Sequence, residues 1–141
     1  MWTSTQQWPA GQFRVALHSS RGAASGMGRA TAGLLAAMGA KVAVTDSNGA
    51  GAEEVAQAIV DKGGDAKAWA LDVADGRAVK AVVSDVALHF SGLDILVNNA
   101  GISDALPFDD PRYEDSWQRL IAVILTGTQQ VTRSALPFLR K

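Results

Sequence analysis

Three glycines fall within the seven residues Gly22-Ala-Ala-Ser25-Gly26-Met27-Gly28. At this spacing a backbone can turn sharply and bring a helix N-terminus close to a pyrophosphate, whose charge the helix dipole stabilises. An acid, Asp46, stands 18 residues beyond Gly28, close to the roughly 20 expected of a carboxylate that binds an adenosine ribose. There it would accept hydrogen bonds from both ribose hydroxyls and repel a 2′-phosphate. Asp46 also suits a plainer role, capping the following turn with Ser47 and Asn48. Ser25 is small and neutral where a basic residue would welcome a 2′-phosphate, so NAD is expected in preference to NADP.

Other chemistries are poorly supplied. The chain has no cysteine, which excludes disulfides and thiolate catalysis. Its two histidines, His18 and His89, are far apart in sequence, and no metal site is expected. Thirteen basic and fourteen acidic residues leave a formal charge of −1, with no broad footprint for nucleic acid or anionic lipid. Nothing approaches the roughly 18 apolar residues of a membrane span, and residues 1–12 lack the marks of a secretion signal. A cytoplasmic location is the expectation.

These residues need elements to hold them. At 48% hydrophobic and 19% charged, the chain has the balance of a globular domain. Short apolar runs alternate with helical stretches, the pattern of parallel strands and crossover helices. Strands are expected over 13–17, 41–45, 66–71 and 93–97, the last read as covered on both faces. Helices are expected from Met27 to Gly39, with Met27, Thr31, Leu34, Leu35 and Met38 as the apolar stripe, and over 52–61. Val79, Val82, Val83, Val86 and Phe90 mark a third helix, and a fourth should run over 114–139. The fold class is α/β, a Rossmann-like doubly wound parallel sheet of about four strands in order 3-2-1-4. Residues 1–12 form an extension, and 13–141 the nucleotide-binding domain.

The run Leu93-Asp-Ile-Leu-Val-Asn98-Asn99-Ala100-Gly101 resembles the NNAG signature of short-chain dehydrogenases/reductases. Leu71-Asp72-Val73 resembles that family's adenine-contacting segment, and the glycine turn matches its TGxxxGxG except at the leading threonine. The resemblance covers residues 13–141, the cofactor-binding half. It implies a nicotinamide dinucleotide cofactor, with Gly22, Ser25, Gly26, Met27 and Gly28 around the pyrophosphate and Asp46 on the ribose. Asp72 and the Val73 backbone would meet the adenine. Asn98, Ala100 and Gly101 would brace the sheet's centre and line the nicotinamide-side ribose. It also implies an oxidoreductase interconverting an alcohol and a ketone, and a homo-oligomer.

Three departures from the family pattern follow. His18-Ser-Ser-Arg21 adds about two residues before the glycine turn, expected to bulge beside the pyrophosphate. Ile124 stands where the family has an asparagine that helps hold a water in its proton relay. The family's serine and Tyr-x-x-x-Lys would lie beyond Lys141; Tyr113 is the one tyrosine here, and Trp117 stands four residues on. No catalytic residue is therefore assigned, and the sequence is expected to be a fragment that meets a small alcohol or ketone only when the other half is present. The competing reading is a non-catalytic nucleotide-binding or dimerisation module. Leu120 to Leu125 are apolar around the whole helix, which predicts burial on more than one side.

Overall fold

The computed structural model describes residues 14–19 and 26–139, with 16–19 described by backbone alone. The elements are β1 (Arg14–Ser19), α1 (Gly26–Ala37), β2 (Lys41–Asp46), α2 (Gly49–Val60), β3 (Asp65–Ala70), α3 (Gly76–His89), β4 (Ile95–Asn98), α4 (Tyr113–Leu120) and α5 (Thr128–Leu139), with a π-helical stretch, Ile121–Gly127, joining the last two. The four strands are parallel in the order β3-β2-β1-β4, which is the expected half of a doubly wound sheet.

Alternation along β2 explains the layers. Val42 and Val44 are buried in a cluster with Val15 of β1 and with Ala32, Val55 and Ile59, which α1 and α2 contribute on one face. Ala43, between them, belongs to the other cluster, with Val79, Val83, Val86, Val123 and Val131 from α3, the π stretch and α5. A strand covered on both faces is apolar along its middle, as this one is at Val42, Ala43 and Val44.

Four expectations are corrected in detail. The first concerns α1, which is helical as read but packs through a different stripe. Gly28, Ala32 and Ala36 are its buried residues, whereas Met27 and Leu34 are 78% and 63% exposed. A helix whose N-terminus must reach the strand ends lies close on the sheet, and only small side chains fit beneath it. Second, β1 runs to Ser19, pairing His18 with Thr45 and Ser19 with Asp46. Two of the four residues expected to bulge are thus on the ladder.

Third, the last helix is not regular. Its bonding changes through Ile121–Gly127 to the wider π form, in which each turn takes up an additional residue. The stretch is also unevenly covered, with Val123 buried but Ile124 and Leu125 46% and 64% exposed. Fourth, β4 is only half covered, and Ile95 remains 37% exposed. No helix among the described residues is long and apolar enough to cross a membrane.

Candidate functional site

The strand order brings the sequence's scattered candidates to one edge of the sheet. Asp46 ends β2, Asp72 and Val73 follow β3, Asn98 ends β4, and Gly26 begins α1 beside the end of β1. Open α/β sheets bind ligands at this carboxyl edge, beside the point where strand order reverses. Here that point lies between β1 and β4, the strands that follow one another in space but not in sequence.

Gly26 has φ +63°, a conformation that glycine adopts without the penalty of a Cβ, and among the described residues nothing lies within 4 Å of where a side chain would project. Gly28 is buried against the sheet, and Met27 is exposed. Gly22, Ser25, Arg21, Trp2, Trp8 and the extension over 1–12 lie outside the described residues.

Asp46 is fully buried. Its Oδ1 accepts a hydrogen bond from the Asn48 backbone N–H at 2.9 Å and a longer one from the Ser47 hydroxyl at 3.5 Å. This is the turn-capping arrangement that the sequence left open beside ribose binding. The Asp46 carbonyl accepts from the Leu71 N–H at 2.9 Å, so the end of β2 is tied to the segment that carries Asp72. Asn48 in turn caps α2, its side chain accepting from Gly51 N–H at 3.1 Å.

The Asp72-Val73 segment is held from both sides. Asp72 Oδ1 accepts from Ala74 N–H at 2.9 Å, and the buried Val73 packs beneath the end of the π stretch. Gly127 is the contact residue there. A Cβ on it would lie 2.8 Å from Val73 Cγ2 and 3.1 Å from the Val73 carbonyl oxygen, so only glycine permits this approach. Two residues beyond Val73, Asp75 caps α3 by accepting from Ala78 and Arg77 N–H. These backbone donors, Ala78 first, hold its carboxyl below the usual range.

Asn98 donates from Nδ2 to Thr132 Oγ1 at 3.0 Å, and the Thr132 hydroxyl donates to the Thr128 carbonyl at 2.7 Å. The end of β4 is thereby fastened to α5. Thr132 was not singled out from the sequence, because no local spacing connects residues 34 apart. Ala100 is half-buried against the second core, and Gly101 is exposed with open space at its Cβ position.

The loop over 101–112 is anchored to α4. Asp104 Oδ2 accepts from the Ser116 hydroxyl at 2.8 Å and from Arg119 at 3.1 Å. Arg112 grips Asp110 through two side-chain hydrogen bonds and a third from its backbone N–H, holding that carboxyl down to about 2. Ile124 presents no polar side-chain atom, and its carbonyl is taken by the Thr128 hydroxyl at 2.7 Å.

Comparison with known proteins agrees with this fold. The family model described as short chain dehydrogenase matches residues 21–141. A D-threitol dehydrogenase of Mycolicibacterium smegmatis is 40% identical over 107 residues, covering 76% of this chain and 41% of that protein. A cis-4-hydroxycyclohexanecarboxylate dehydrogenase of Sinomonas cyclohexanicum is 42% identical over 118 residues, covering 82% and 46%. Among solved structures, a hydroxysteroid dehydrogenase from Escherichia coli superposes with a TM-score of 0.82 at 28% identity, over 89% of this chain and 52% of that one. The chain thus spans about half the length of these relatives, or less.

Proposed function

Because the chain belongs to the short-chain dehydrogenase family, we propose that it is the cofactor-binding portion of an NAD(P)-dependent oxidoreductase that interconverts an alcohol and a ketone. One observation carries the reading: the strand order collects Asp46, Asp72-Val73 and Asn98 at the same sheet edge as Gly26 and Gly28. The residues fit a dinucleotide. Among the described residues, nothing approaches the Cβ positions of Gly26 and Gly101, which suits a ligand at both the α1 and β4 ends of the edge.

When bound, a nicotinamide cofactor supplies hydride transfer. The chain's own part is to bind and orient it. Gly22, Ser25, Gly26, Met27 and Gly28 would cradle the pyrophosphate at the N-terminus of α1. Asp46 would hold the adenosine ribose through its carboxylate. The exposed Asp72 and the Val73 backbone would flank the adenine, while Asn98, Ala100 and Gly101 would line the second ribose. Asp46 favours NAD over NADP, since a buried carboxylate repels a 2′-phosphate.

Calorimetric titration with NADH and NADPH tests this assignment. NADH should bind the tighter, and Asp46→Ala should narrow the gap. Equal affinities in the unsubstituted chain would remove Asp46 from the site. A second reading, a non-catalytic nucleotide-binding or dimerisation module, draws on Ile124, which stands in the helix without a polar side-chain atom. The substrate, alcohol or ketone, and a homo-oligomeric assembly belong to the proposal for the whole protein.

A further inference from the structure

On the face away from α1 and α2, the helices α3 and α5 enclose an open groove of about 900 Å³. Arg77, Lys80 and Ser84 line it from α3, and Gln130, Arg133 and Ser134 from α5. Arg77 and Lys80 are one helical turn apart and share a face, and Arg133 opposes them from the neighbouring helix. The ion pairs among the described residues are Arg14–Asp94, Lys41–Asp65, Arg112–Asp110 and Arg119–Asp104, and none includes these three cations. The one acid in the lining is Asp75, and its carboxylate already serves the backbone N–H groups of Arg77 and Ala78.

Gln130 is part of the lining, its buried Oε1 set against Gly76 at the start of α3 and without a hydrogen-bond partner among the described residues. Three cations and the hydroxyl-bearing Ser84 and Ser134 line the groove, with a single, occupied carboxylate among them.

We propose that this groove is a binding site for a compact polyphosphate, separate from the glycine turn and independent of the cofactor assignment. Phosphoryl oxygens suit it because each accepts charge-assisted hydrogen bonds, and the guanidinium forks of Arg77 and Arg133 match their geometry. The site would sense a phosphate-rich ligand, free or as the tail of a nucleotide, on the helix pair that packs behind Val73 and Asn98.

The test is a titration of inorganic tripolyphosphate into the isotopically labelled chain, read by amide NMR shifts and by calorimetry. Shifts should centre on Gly76, Gln130 and Ser134. The Arg77→Ser, Arg133→Ser double variant should weaken binding by about tenfold or more, as loss of two charge-assisted contacts requires. Lys62→Ser with Lys67→Ser, which removes equal charge elsewhere, should change it little. Gln130→Glu keeps the shape but adds a negative charge, and should abolish binding. Competition by ATP would assign a nucleotide's phosphate tail to the site, and failure to compete would assign free polyphosphate. Shifts centred on Gly26 and Gly28, equal losses in both double variants, or undiminished binding by Gln130→Glu would each overturn the proposal.

Discussion

The two edges of the sheet are built on different principles. At β3, Asp65 and Lys67 are exposed, Asp65 pairs with Lys41 at 3.4 Å, and Lys67 lies 5.0 Å above the Trp69 ring. Charges along an edge strand discourage pairing with another chain, and the Lys67–Trp69 contact covers an aromatic face with a cation. At β4, Ile95, Leu96 and Val97 carry no charge, and all three remain at least partly accessible. The neighbouring π stretch adds the exposed Ile124 and Leu125. One edge is finished against solvent, whereas the other has the composition of a strand and helix with further neighbours.

The largest expected effect concerns self-association through the unfinished side. A fully buried Leu or Ile contributes about 1.5–3 kcal/mol, and Ile95 and Leu125 together expose about one side chain's worth of surface. Covering both should strengthen association by about tenfold to a hundredfold. Ile95→Lys with Leu125→Lys should therefore shift the chain strongly toward monomer in sedimentation equilibrium. Lys67→Ile sharpens the contrast, since removing charge from the β3 edge should create association there. A monomer in every case would show that β4 is as well protected as β3.

Next comes the close approach that joins the site to the unfinished side. Gly127→Ala places a Cβ against Val73, and overpacking of this kind costs about 1–3 kcal/mol. Denaturant melts should show that loss, and NADH affinity should fall with it because the Asp72-Val73 segment shifts. Unchanged stability would mean that the π stretch moves away freely.

A smaller effect is expected at the opposite, amino end of the strands. Arg14 there makes paired hydrogen bonds to Asp94 at 2.7 and 2.9 Å and a third to the Ser91 carbonyl. The Arg14 guanidinium holds the Asp94 carboxyl below its ordinary value. Its stabilisation is therefore complete above the unfolded carboxylate pKa of about 3.9 and is lost as pH falls through the lower folded value. Asp94→Asn should cost about 1–2 kcal/mol at pH 7. The difference from the unsubstituted chain should shrink in urea melts taken progressively below pH 4, whereas a constant gap would exclude the ion pair as its source.

The smallest effect belongs to Ser91, a non-glycine residue at φ 60°. Its N–H donates to Leu88 O and the following Gly92 N–H to Ala87 O, the pattern that closes a helix through one left-handed residue. Ser91→Gly should relieve about 0.5–1 kcal/mol of strain and raise the melting temperature slightly, with no effect on association at either edge.

Much of this fold was legible in the sequence because its signals are local. The valines of α3 recur at helical spacing, and the apolar runs of β2 and β4 are strands by length and flanking residues. The strand order followed from their alternation with helices. Of the candidate site, the sheet-edge placement of Asp46, Asp72, Val73 and Asn98 was legible for the same reason, since each lies at the end of a strand or shortly after one. Tertiary structure decided the rest. Met27 and Leu34 have the right spacing for a core stripe, but the tight seat of α1 on the sheet selects Ala32 and Ala36. Asp46 reads from the sequence as a ribose ligand with turn capping as the plainer alternative, and its burial with the Asn48 bond depends on where β2 ends beside β3. The π stretch reconciles Val123, which packs into the core, with the Gly127 approach to Val73, and no local pattern encodes that compromise. The Arg14–Asp94 clamp and the Asn98–Thr132 bond join residues 80 and 34 apart, and such pairs exist only once the chain has closed the distance between them.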